Sequence, residues 1–327
     1  MANIPLEQAI YLRPDARQPQ LIAKSPGFAP EWRAEAESLA IGFGERPGTM
    51  PCPLTVFAKP LTKDHIAVVR VIDENAQGRP IGLRFHFVVI ARTAYEDWVR
   101  DPFMLADRVP PTWEGKDDLP ALSVEEASFS PRTLGQVQAV LKRVKASALR
   151  EGEDPEAPGF ERTIENSERP ALLGGAQILV DGGRVVFARR TGDLPLASGL
   201  WLLLPEGTRS RLWPTSFAFG ADNDFDLLVV PYLGENGVEG YTTEDQAAEY
   251  PEGRYEFALQ KAAEEGTQED LDIVFSRRDS SSTIRLAIII LIIVSAIVIV
   301  AQFFDFGGPP PDKDKAPKDQ VKKNDGK

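Results

Sequence analysis

The chain has 327 residues, with 49 acidic against 37 basic side chains and a formal net charge of −12. An acidic surface repels phosphate backbones, which argues against nucleic acid as a partner. A single cysteine, Cys52, permits no intrachain disulfide, and the two histidines, His65 and His86, are too few and too far apart in sequence to suggest a metal site.

The N-terminal "MANIPLEQAIYLRPD" has neither a basic start nor an apolar core segment, so it does not read as a signal peptide. Residues 1–150 are expected to form an α+β first half. Within it, 54–60, 65–73 and 81–91 read as strands; the last alternates Leu83, Phe85, Phe87 and Val89 with Arg84 and His86 at period two. Residues 93–109 suggest a helix interrupted near Pro102. Ser130-Pro131 offers a helix start, followed by Leu134, Val137, Val140, Leu141, Val144 and Leu149 at helical spacing.

Residues 151–170 are acidic, Pro-bearing and aperiodic, the composition of a linker. Residues 171–265 are expected to be β-rich. "AQILVDGGRVVFARR" (176–190) reads as a hairpin turning at Asp181-Gly182-Gly183, with 199–220 and 225–231 continuing the sheet. Residues 254–265 read as a helix, and 266–283 as a polar juxtamembrane linker.

The run "TIRLAIIILIIVSAIVIVAQFF" is uncharged from Leu286 to Phe304 and apolar all round. Its length as a helix approaches the roughly 30 Å of a hydrocarbon core, which predicts a single transmembrane helix over 284–304. The lipid bilayer is then a partner through 284–304. With no signal peptide, the soluble region is expected to face the cytoplasm from a single-pass anchor in the cell membrane. Residues 305–327 alternate in charge and read as a disordered tail.

No segment carries a complete catalytic motif. Residues 174–208 superficially resemble the opening of a Nudix hydrolase, but no glutamate-rich helix follows, and Pro214 interrupts the place where one would lie. "GFGERPGT" lacks the lysine of a phosphate-binding loop. Asp222, Asp224 and Asp226 lack the twelfth-position acid of a calcium loop, where Leu233 stands, and so read as a polar turn. No cofactor or metal is expected.

"PQLIAKSPGFAPEW" (19–32) followed by a strand pair, and "LLLPEGTRSRLWPTSFAFGADNDFDLLVVP" (202–231), resemble bacterial GTPase-associated proteins. The resemblance implies a protein that accompanies a GTPase within a larger assembly, and it carries no catalytic residue over. The functional expectation is a membrane-anchored protein-interaction module; the alternative is a hydrolase or transferase whose site is not local in sequence. Arg209 and Arg211 beside Trp213 have the composition of an interface anchor, and Lys24 and Ser25 form a second polar candidate.

Overall fold

The structure is a computed structural model. It describes residues 3–276 apart from 16, 77–78, 114–117, 146–162, 164–165 and 235–236, together with 288–297 and 299–300. Residues up to Arg277 form one compact unit, and Arg278–Lys327 fall in another.

The first sheet runs in the order β2(Gln20–Lys24), β1(Asn3–Pro14), β5(Arg79–Ala91), β4(His65–Ala76), β3(Thr55–Pro60), all antiparallel, with β6(Leu122–Glu125) pairing the first residues of β1. The three strands expected from alternation are β3, β4 and β5. Strand β1 is central and pairs with β2, β5 and β6. Gln8, Ala9, Ile10 and Tyr11 are consecutive and all buried, so β1 shows no period of two.

Helix α1(Arg33–Gly42) leads to Phe43, whose ring packs on Phe57 of β3 and Phe85 of β5 at centroid distances of 6.0 and 5.7 Å. A short helical turn, α2(Arg92–Ala94), precedes α3(Pro102–Arg108). Helix α4(Leu134–Leu141) is shorter than the run to Leu149 suggests. Its cap is Thr133, which forms a reciprocal capping box with Gln136, rather than Ser130.

The second half departs from the expected β-rich layout. Residues read as a hairpin form helix α5(Arg169–Val180) followed by a four-residue strand, β7(Val185–Ala188). Asp181-Gly182-Gly183 is a helix stop: the N–H of Gly183 donates to Ile178 O at 2.9 Å and that of Gly182 to Leu179 O at 3.3 Å. Gly182 sits at φ 87°. This is a Schellman arrangement, which uses the same glycines that a tight hairpin turn would use. Likewise "GLWL" (199–202) ends α6(Leu194–Leu202), a helix apolar all round because it is buried.

Helix α7(Glu206–Arg209) follows, then β8(Leu227–Val230), β9(Thr242–Thr243), α8(Glu244–Ala248) and α9(Arg254–Glu265). Strands β8, β7 and β9 form a small parallel sheet. Residues expected as a polar lead instead form α10(Gln268–Phe275), capped by Thr267 and Asp270, with Leu271, Val274 and Phe275 buried.

The two sheets are stitched by "PTS". Ala58 N–H donates to Pro214 O at 3.1 Å and Ser216 N–H to Val56 O at 2.9 Å, while Thr215 N–H donates to Leu227 O at 2.8 Å. Phe57 and Phe225 meet across this seam at 5.4 Å. The expected halves therefore share one hydrophobic core.

The expectation of a transmembrane helix is overturned. Of residues 284–304, 288–297 and 299–300 are helical, and among the described residues no helix is long and apolar enough to cross a membrane. The transmembrane fold element, the single-pass membrane character and the cell-membrane localisation drawn from it fall together. An apolar run is necessary for a span but does not by itself establish one. The tail 305–327 lies outside the described residues, as does the acidic segment 151–170 except for Thr163 and residues 166–170.

Candidate functional site: an arginine-lined cleft

Local backbone geometry builds one wall of the site. After α2 the chain forms a π-helical turn, Tyr95–Val99, closed by the Arg100 N–H donating to Tyr95 O at 2.8 Å. Arg100 then adopts φ 49°, a left-handed conformation unusual for a residue with a side chain. The fully buried Trp201 of α6 holds it there, its indole N–H donating to Arg100 O at 3.0 Å. Both π-turns and such backbone conformations collect at functional sites.

The reversal sends neighbouring side chains to different partners. Arg100 pairs with Glu206 on α7. Asp101 turns inward, 6% exposed, and its Oδ1 caps α3 by accepting from the N–H groups of Phe103 and Met104, each at 3.0 Å. Its Oδ2 accepts from Arg209 Nη2 at 2.5 Å. Arg209 is 5% exposed, and its Nε–H has no hydrogen-bond partner.

The opposite wall is set by Arg132, which is 8% exposed. Its Nη1 donates to Leu202 O at 2.8 Å and to Leu204 O, while the buried Tyr255 hydroxyl donates to Leu203 O. Three carbonyls at the C-terminal end of α6 are thereby satisfied. The guanidinium lies 3.5 Å above the Phe275 ring centroid, a stack that fixes its plane. Nη2 of Arg132 has no partner. Burial, and then the charge of Arg209, push Arg132 down to about 9.

Arg100, Arg132 and Arg209 line one cleft of about 440 Å³. Its remaining wall combines Met104, Phe129 and Phe275 with Asp97, Glu206 and Asp272, and Trp98 stands half exposed in the lining. Each buried arginine N–H without an acceptor costs about 1–3 kcal/mol, more for a charged group, and both of these nitrogens are shielded from solvent.

Other arginine clusters are internally satisfied. Arg13 donates to Ala40 O, Ile41 O and Gly44 O at 2.5, 3.1 and 2.6 Å, closing the end of α1. Arg46 is held by Asp73 at 2.7 Å and by Met50 O and Gly82 O. Arg143 and Arg189 bind Glu168, Asp193 and Glu244 in a network that ties α5, α6, β7 and α8. These arginines hold the fold.

Of the residues singled out from sequence, Arg209 lines the cleft, but as a buried arm of an ion pair. Arg211 is exposed, with its Nε donating to Gly207 O at 2.9 Å. Trp213 is half buried; its N–H donates to Asp226 Oδ2 at 2.7 Å and its carbonyl accepts from the Asp226 N–H at 2.8 Å. Lys24 Nζ donates to Phe28 O at 3.2 Å. Ser25 is fully buried, accepting from Gln8 N–H at 2.8 Å and donating to Glu7 Oε2 at 2.5 Å. Neither lines the cleft.

Sequence reading passed over Trp98, Arg100, Asp101 and Arg132. The one local signal was an arginine following Ser130-Pro131, outside any periodic pattern.

His65 and His86 lie apart from the cleft. Among the described residues, no group of three His, Cys, Asp or Glu side chains could hold a metal ion. No family model, curated protein or solved structure matches this chain.

Proposed function

We propose that the chain is a protein-interaction module without a reaction of its own, and that the arginine cleft is where it holds its partner. The observation that carries this reading is a cleft lined by Arg100, Arg132 and Arg209 that also presents a half-exposed Trp98. Arginine and tryptophan are the residues that supply most of the energy at binding hot spots. The lining contains neither imidazole nor thiol, so it offers the two serines present, Ser130 and Ser276, no histidine base. The resemblance to GTPase-associated proteins makes a GTPase the first partner to test.

The test is site-specific photo-crosslinking in living cells. A photoreactive phenylalanine analogue at position 98 should crosslink one discrete polypeptide, identified by mass spectrometry. The same group at Lys63, whose side chain is 89% exposed, should not. Equal yields at both positions, or none at 98, would remove the cleft as the contact.

A further inference from the structure

Independently of the arginine cleft, we propose that the groove between α9 and α10 is a second docking surface, which takes a basic amphipathic helix of a partner protein.

The two helices are fixed from below and left bare above. Leu259, Ala262 and Ala263 of α9 and Leu271, Val274 and Phe275 of α10 are buried, which seats the pair on the core. Gln268 locks α10 in place, its Oε1 accepting from Leu134 N–H at 2.8 Å and its Nε2 donating to Arg132 O at 2.9 Å. Phe257 and Ile273 stay outside the core. They are 63% and 68% exposed, the most exposed large apolar side chains described up to Arg277.

The groove, about 370 Å³, has an apolar floor and a charged rim. Ala258, Ala262, Gly266 and Val274 are partly or wholly buried in its lining, beside the exposed Ile273. Lys261, Glu265 and Asp270 form the rim, and Phe257 lies one turn from Lys261 on the same side of α9. Thr267 holds Asp270 below the usual carboxylate range through its N–H at 2.8 Å and its hydroxyl at 2.9 Å, so Asp270 is charged at neutral pH.

Charge selects the occupant. Along α9 and α10 six carboxylates stand against Arg254 and Lys261, and among the described residues only Glu264 is drawn off into an ion pair, with Arg169. A second copy of the chain would set this acidic face against itself, and an anionic bilayer would be repelled. Lysines or arginines flanking an aliphatic row match both rim and floor. Neither helix offers free backbone groups along its flank, so the docked segment satisfies its own backbone, as a helix does.

The experiment titrates the full-length protein into two fluorescently labelled amphipathic peptides of about 18 residues, long enough to form helix. One is built from Leu and Lys; the other has Glu at every Lys position. Fluorescence anisotropy should show the Lys peptide binding about tenfold or more tightly than the Glu peptide. Ile273→Asn should weaken the Lys peptide by about tenfold with the melting temperature unchanged, and Glu265→Lys should weaken it several-fold. Trp98→Ala should leave the titration unchanged, because α10 lines the arginine cleft with Asp272, Phe275 and Ser276 and the groove with Asp270, Ile273 and Val274.

Equal affinity for the two peptides overturns the charge assignment. Undiminished binding of the Lys peptide to Ile273→Asn overturns the groove, since the peptide is then attracted to the acidic chain at large. Weakening by Trp98→Ala overturns it by placing the peptide in the cleft. A dimer of the protein alone that Ile273→Asn dissociates in sedimentation would give the face to a second copy instead. The crosslink at position 98 is read separately, so failure of the groove leaves the cleft reading standing, and failure of the crosslink leaves the groove standing.

Discussion

Asp101 and Arg209 meet at 2.5 Å with both side chains more than nine-tenths shielded from solvent, although 108 positions separate them in the sequence. One oxygen of Asp101 starts α3 and the other receives the guanidinium of α7, so a single carboxylate joins two helices beneath the cleft. Removing one partner of such a pair leaves a buried charge uncompensated, at a cost of about 3–5 kcal/mol. Arg209→Ala should therefore lower unfolding free energy by about that amount in urea denaturation. Arg211→Ala, at an exposed position, should change it by no more than about 0.5 kcal/mol. Equal effects would mean that the burial contrast does not describe the folded protein.

Trp201→Phe should loosen the cleft without removing any residue that lines it. The indole N–H is the bond that holds Arg100 in its left-handed conformation, and phenylalanine keeps most of the packing while leaving Arg100 O unpaired. The expected loss is about 1–3 kcal/mol, accompanied by weaker binding at the cleft. Hydrogen exchange of the amides of 96–101 should rise in the variant, and unchanged protection there would contradict this role for Trp201.

His86 should make the fold acid-sensitive. Its Nε2–H donates to Gln8 Oε1 at 2.9 Å, and its Nδ1 accepts from Arg70 at 3.4 Å, an arrangement that requires the neutral ring. Burial, then the Arg70 charge, push His86 down to about 3, whereas the unfolded state titrates near 6.5. Between those values the unfolded state binds more protons, so stability is fully present above about pH 6.5 and is lost as the pH falls. Acidification from pH 7 to 4 should cost about 3 kcal/mol through this group. Urea unfolding at the two pH values should show a loss smaller by about that amount in His86→Gln; an unchanged loss would place the acid sensitivity elsewhere.

Gly174→Ala should separate α5 from α8. A Cβ at this position would lie 1.8 Å from Ala247 O, a backbone atom that cannot rotate away. The expected outcome is a loss of several kcal/mol, comparable to or beyond the roughly 1–3 kcal/mol of ordinary overpacking. Gly207→Ala meets no atom within 4 Å and serves as the control. If both glycine variants melt together with the parent, the close approach of α5 to α8 is absent in solution.

Local pattern carried part of this architecture. Residues 81–91 alternate because β5 has two differently covered faces, and 254–265 form α9 with the bounds their periodicity suggests. The mixed α+β composition of the fold was legible for the same reason. Strand β1 was not, because both of its faces are covered: Ala9 and Tyr11 enter the main core while Ile10 packs with Ala23 and Leu119 in a separate cluster, which erases the alternation. At Asp181-Gly182-Gly183 a helix stop and a hairpin turn ask for the same left-handed glycine, so sequence alone could not separate them. The apolar run near the C-terminus satisfied the composition of a membrane span, but among the described residues no helix is long and apolar enough to cross a membrane.

What the amino-acid sequence determined by itself was the location of buried faces, since hydrophobic periodicity is a local quantity. It also marked Arg209, through the density of apolar neighbours around it. The role of Arg209 was decided only when α3 brought Asp101 beneath it, and the role of Arg132 only when the C-terminal end of α6 presented its carbonyls from about 70 positions away. Whether an arginine donor is used up or left open depends on which acceptors folding places around it. Those acceptors come from distant segments, so the cleft exists only in the tertiary structure.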